Sequence, residues 1–100
     1  GDFEGDASNG GNIWIKALGK GLKFTLGSNS RLGSATLVGG TVVVANTSIT
    51  ADTAIFLSRS TASGTLGHLS YTLTPGVGFT INSSSGSDTS TIRWLLIEGA

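Results

Sequence analysis

Residues 34–60 read SATLVGGTVVVANTSITADTAIFLSRS, and the glycine pair inside that stretch decides how the rest of the chain is read. Gly39 and Gly40 separate two runs rich in β-formers, and only glycine takes positive φ at both central positions of a two-residue hairpin turn without steric cost. The stretch therefore predicts a tight hairpin in which Val38 faces Thr41, Leu37 faces Val42, Thr36 faces Val43 and Ala35 faces Val44. Side chains alternate across a strand, so Ala35, Leu37, Val42 and Val44 share one face and Thr36, Val38, Thr41 and Val43 the other. Residues 46–52 follow as a polar loop whose Asn, Ser, Thr and Asp side chains cap their own backbone, with Ile49 plugged beneath. Residues 53–60 are then a strand, Ile55 and Leu57 on one face, Ala54 and Phe56 on the other.

Upstream of the hairpin, residues 1–11 mix glycine with Asp2, Glu4 and Asp6 and have no periodicity, so they read as a flexible tail or linker. With no initiator Met, the start reads as a fragment or processed edge. Residues 12–18 and 22–26 alternate apolar and polar side chains and predict two strands, the second presenting Leu22, Phe24 and Leu26 on its buried face. Downstream, residues 65–73 place Leu69, Tyr71 and Leu73 inward. Thr74, Pro75 and Gly76 suit a type II turn, and Val77, Phe79 and Ile81 share one face of the next strand. A Ser/Gly loop spans 82–89. The last strand, 90–98, sets Ile92, Trp94 and Leu96 against Arg93, Leu95 and Ile97. About eight short strands at spacings of roughly 8 to 12 residues make the fold all-β, an antiparallel β-sandwich of jelly-roll or Greek-key type over residues 12–100.

Composition narrows the function classes. The 100 residues carry six basic and six acidic side chains, so there is no cationic excess of the kind a nucleic-acid groove needs. No apolar run approaches the roughly 18 residues of a membrane-spanning helix, and no disulfide is available without cysteine. No spacing matches a nucleophile triad, a GxSxG elbow or a phosphate-binding loop. His68 is a lone histidine on a polar face. Asp52, Asp88 and Glu98 are the candidates for a carboxylate pair of glycosidase type, but Asp52 and Asp88 sit in loops where aspartate caps the backbone. The chain is therefore expected to be neither an enzyme nor a metal or cofactor binder.

Three segments resemble a known family: GKGLKF, GSATLVGGTVVVANTSITADTAIFL and SDTSTIRWLLIE. Together they are similar to the small module at the C-terminal end of many phage and prophage tail fibres, tailspikes and minor structural proteins. The resemblance covers residues 19–98, departing at Ala54, where the pattern has a larger polar residue. It implies a virion domain in the phage tail, a homotrimeric fibre tip that holds three chains together, meets the host surface, or both.

Within that expectation, host glycan or protein is met by polar loop side chains and one open aromatic: Asn46, Thr47, Ser48, Thr50, Asp52, Asn82, Ser84, Asp88 and Trp14. A trimer interface is expected from strands that are apolar on both faces, through Val43, Phe56, Leu95 and Ile97. Two alternatives share the fold. A carbohydrate-binding module stacks sugars on Trp14, Tyr71 or Trp94, whereas a trimeric capsid decoration protein binds a shell. The apolar residues Ile92 and Leu96, which share its face, predict that Trp94 is buried.

Overall fold

The computed structural model describes residues 14–99, and in them six strands and no helix. These are β1 (Leu32–Thr36), β2 (Thr41–Ala45), β3 (Thr53–Thr61), β4 (Leu69–Thr74), β5 (Gly78–Ser83) and β6 (Thr91–Glu98). They form two antiparallel three-stranded sheets, ordered β1-β6-β3 and β2-β5-β4. Leu37, Ile49, Ile55, Ile92, Trp94 and Leu96 meet Phe79 and Ile81 of the second sheet in one core. The rings of Phe79 and Trp94 touch edge to face at 5.2 Å between centroids. This arrangement is consistent with a β-sandwich, with fewer strands than the eight expected.

The difference in strand count lies before β1. The tail expected over 1–11, and the start of the strand expected over 12–18, fall outside the described residues. Residues 14–26 are described and contain no strand. Leu22, Phe24 and Leu26 have the alternation of a half-buried strand, yet all three are exposed. Alternation makes a segment able to pair; it does not supply the edge to pair with.

At the glycine turn the backbone conformation is as read, but the pairing is not. Gly39 and Gly40 have φ of 62° and 81°. Val38 and Thr41 exchange backbone hydrogen bonds, N to O 2.9 and 3.3 Å. Beyond that pair the predicted register is wrong. β1 pairs with β6, so that Ala35 lies opposite Ile92, and β2 pairs with β5, so that Val44 lies opposite Phe79. The Leu37 N–H is taken by Ser90 O at 2.9 Å. The turn thus passes the chain from one sheet to the other. The face assignment holds all the same: Leu37 is buried, Ala35, Val42 and Val44 pack against the core, and Thr36, Val38, Thr41 and Val43 are exposed.

Elsewhere the reading is close. Gly76 has φ of 75° and Val77 N donates to Thr74 O at 3.0 Å, closing the β4–β5 hairpin. Val77, however, lies in the turn and is exposed, leaving Phe79 and Ile81 as the buried pair. Ile49 is buried beneath its loop, and Trp94 is buried as expected. Trp94 fits because Gly33 lies opposite it: a Cβ there would stand 2.5 Å from the indole.

Candidate functional site

Each end of the molecule is closed by a polar hub built around one carboxylate. At the end where β2 finishes and β3 begins, Glu98 on β6 is the centre. Its Oε2 accepts from Thr50 Oγ1 at 2.7 Å, and its Oε1 from Thr53 Oγ1 and from Arg31 Nη2 at 3.1 Å. These bonds, led by that from Thr53, hold the Glu98 carboxyl below its ordinary pKa. Asn46 is buried beside this hub. Its Nδ2 donates to Ser30 O at 2.8 Å, and its Oδ1 accepts from the Ser48 backbone at 3.0 Å and from the Ser48 hydroxyl. Ser48 Oγ in turn accepts from Arg31 Nη1 at 2.9 Å.

The opposite end is organised by Asp88, which is fully buried. Its Oδ1 accepts from the Ser90 hydroxyl at 2.6 Å and the Ser90 N–H at 3.1 Å. Its Oδ2 accepts from Ser83 Oγ at 2.7 Å, Arg59 Nη2 at 2.8 Å and the Gly67 N–H at 3.1 Å. Hydrogen bonding from the Ser90 side chain is the chief reason its carboxyl lies well below the usual carboxylate range, overcoming the opposing effect of burial. The spare Arg59 donors go to Ser90 Oγ and Gly67 O, both at 3.0 Å. Five donors on two oxygens leave Asp88 nothing to offer a substrate.

The candidate recognition residues therefore do not form one site. Asn46, Thr47, Ser48, Thr50 and Asp52 lie at the Glu98 end, whereas Asn82, Ser84 and Asp88 lie at the other. Asn46 and Asp88 are buried and engaged in the fold, so neither presents its side chain to a receptor. Asn82 accepts from Thr41 Oγ1 at 3.1 Å, and Ser84 Oγ from the His68 N–H at 2.8 Å. Thr47, Thr50, Asp52 and Ser84 are exposed. Trp14 is open on the strand-free segment that precedes β1, the arm (residues 14–28), with Lys16 Nζ 4.6 Å from its ring centroid. Of the three aromatics considered for sugar stacking, burial removes Trp94 and leaves Trp14 and Tyr71. Of the carboxylates considered for a catalytic pair, Asp88 lies at one end, apart from Asp52 and Glu98, which share the other; Glu98 is engaged by Thr50, Thr53 and Arg31, whereas Asp52 is exposed.

The interface candidates converge better. Register places Leu32, Leu95 and Phe56 side by side across β1, β6 and β3, with Ile97 and Ala54 in the next row. All point away from the core. Phe56 is 59% exposed and Ile97 49%, while Leu95 between them is half-buried. The other half of the same face is polar, with Arg93 between Ser34 and Ser58. Val43 does not join this patch. It lies on the outer face of the second sheet, opposite Thr80.

A sequence match adds to this geometry. The family described as K1 capsule-specific polysaccharide lyase, C-terminal domain, matches residues 29–97. The chain belongs to this family. The lyase is a phage tailspike-type protein, so the family supports the resemblance to phage tail modules at that broad level, and with it, indirectly, a place in the phage tail. No curated protein and no solved structure matches the chain. The match begins at Asn29, where the chain reaches the Glu98 hub, and leaves out the arm before it.

Three features of these surfaces were not read from the sequence. Arg59 has a signal: it falls on the inward row of Ile55 and Leu57, and a cation on a core face requires a buried acceptor. Glu98 at the end of an apolar strand carries a weaker one. The partnership of Gly33 with Trp94 has none, because it depends on which strands pair.

Proposed function

We propose that this domain is the trimeric C-terminal module of a phage tailspike-type polysaccharide-degrading protein, holding three chains together at the end of the spike. The observation that carries the reading is the outward apolar patch of Leu32, Phe56, Leu95 and Ile97. Burying one such side chain is worth about 1.5–3 kcal/mol, so a monomer that leaves this patch in water forgoes a sizeable fraction of a typical 5–15 kcal/mol domain stability. Threefold closure covers the patch in every copy. In this reading the strand order, first strand beside last and second beside fifth, is that of a jelly roll lacking one edge strand from each sheet.

The module is not assigned chemistry of its own. Asp88 and Glu98 are tied into the fold by their hydrogen bonds, and capsule cleavage belongs in this reading to the part of the spike that precedes it. Host contact falls to the exposed Thr47, Thr50 and Asp52, which share one end. Sedimentation velocity on Phe56→Asp tests the assembly: a soluble, folded monomer with the wild-type β-sheet spectrum is expected. A variant that sediments with the wild-type protein would remove the patch from the interface.

A further inference from the structure

Residues 22–26 and the groove between β3 and β4 are two unsatisfied features that fit each other. The groove is open, about 430 Å³, and lined by Ile55, Phe56, Leu57, Leu69, Ser70 and Tyr71. Among the described residues it runs between two free strand edges, because β3 is last in one sheet and β4 last in the other. Leu69, Tyr71 and Leu73 of β4 face the core side, yet Leu69 and Leu73 are only half-buried and Tyr71 is 38% exposed. β3 carries an irregularity between Arg59 and Thr61 in its ladder with β6, and such a bulge twists the strand and discourages pairing at its other edge. β4 keeps a continuous register with β5 and carries no such bulge. A segment that fills this place needs apolar side chains at alternate positions and polar ones between them. Leu22, Lys23, Phe24, Thr25 and Leu26 have that order.

The arm of the same copy is not placed to do this. Ser30 N donates to Gly27 O at 3.2 Å across a turn in which Asn29 has φ of 58°, and Asn46 holds Ser30 O. Such a turn keeps the Cα of Gly27 within about 7 Å of Ser30, and one further residue adds about 3.8 Å. Leu26 thus stays within about 11 Å of Ser30, which sits beside the β1 edge because the adjoining Arg31 O accepts from Leu96 N at 2.8 Å. β4 lies two strand spacings across and one sheet spacing through, about 14 Å away. Leu26 and Gly27 also line a cleft beside Leu32, Gly33 and Trp94, which keeps the arm on the β1 side.

We propose that the arm of one copy, residues 22–26, adds as a strand to the free edge of β4 in a second copy, with Leu22, Phe24 and Leu26 filling the groove between β3 and β4. The donor and acceptor surfaces are different and lie at opposite edges of the sandwich. Such a head-to-tail contact repeats around a ring, and three copies close it. The inference rests on the trimer reading and deepens it. Phe56 lines both the groove and the outward apolar patch, so arm and patch form one continuous interface.

Because the chain has no cysteine, engineered disulfides report the contact directly. Phe24→Cys combined with Tyr71→Cys is expected, after mild oxidation, to give covalent dimers and trimers on a denaturing non-reducing gel. Lys23→Cys with Tyr71→Cys, its thiol facing away, is expected to give none. Monomers only from the first pair, or equal linking from both, overturns the proposal. Tyr71→Cys alone provides a second readout: in the assembled protein its thiol is expected to react with a maleimide at least tenfold more slowly than after unfolding. A freely reactive thiol means an open groove and overturns the proposal, whether sugar or solvent occupies it. Light scattering on the same samples separates the two claims. Trimer mass without cross-links removes the arm placement alone, whereas a monomeric wild type removes both.

Discussion

Because Asp88 accepts five hydrogen bonds while fully buried, its protonation is tied to the integrity of one end of the domain. Its pKa is lower in the folded state than in the unfolded chain, where an aspartate titrates near 3.9. The carboxylate therefore adds stability that is fully present above that value and is lost as pH falls through its depressed folded value. Glu98 acts in the same sense. Melting temperatures measured from pH 7 to pH 2 are expected to be flat down to about pH 4 and then to fall. Asp88→Asn leaves Arg59 without its buried partner, so it should lower the neutral-pH melting temperature by on the order of 10 °C. It should also flatten the acid limb; parallel curves for the two proteins would contradict the role given to Asp88. Glycine supplies a second residue-scale comparison. Gly40 has positive φ and a Cβ there would overlap Ser85 O, whereas at Gly39 the nearest atom is 3.9 Å away. Gly39→Ala should cost about 1 kcal/mol from its backbone angle alone, and Gly40→Ala about 3 kcal/mol or more in urea melts.

At the scale of elements, the loops joining strands serve the fold first and expose a few side chains second. Asn46→Ala removes a buried group with three hydrogen bonds and should cost about 2–3 kcal/mol. Thr47→Ala and Asp52→Ala are exposed and should stay within about 0.5 kcal/mol of the wild type. If this end meets the host, those two changes reduce adsorption of virions without moving the melting temperature; unaltered adsorption would leave the end with no part in recognition. The elements also show which information a single sequence carries. The faces of 35–44 were legible because alternation is local, and so were the Gly76 turn and the buried rows of β5 and β6. Their partners were not, because β1 and β2 each find a better-covered neighbour far away in the chain, in β6 and β5. The segment 22–26 was misread for a related reason. Its pattern specifies a strand, but none of the described strands of its own chain pairs with it. Polar residues in the loops were legible as caps in type, while the choice of Asn46 and Asp88 as buried hubs depended on the same long-range pairing.

For the whole molecule, two apolar surfaces stand unpaired among the described residues, the outward patch on the first sheet and the groove at the opposite edge from the arm. A domain of this size buries only a modest core, and large apolar patches on a monomer mark an interface. Family membership supports a phage tail module at a broad level, and in the proposed reading that module holds chains together. Leu95→Asp puts a charge in the middle of the patch and separates two origins for its apolar character. It should give soluble folded monomers if the patch is an interface, and an unfolded chain if Leu95 were needed by the core. The central claim is tested most directly by the mass of the wild-type domain, measured by multi-angle light scattering at low micromolar concentration. The account predicts three times the 10.1 kDa chain mass, and a particle of 10.1 kDa would contradict it.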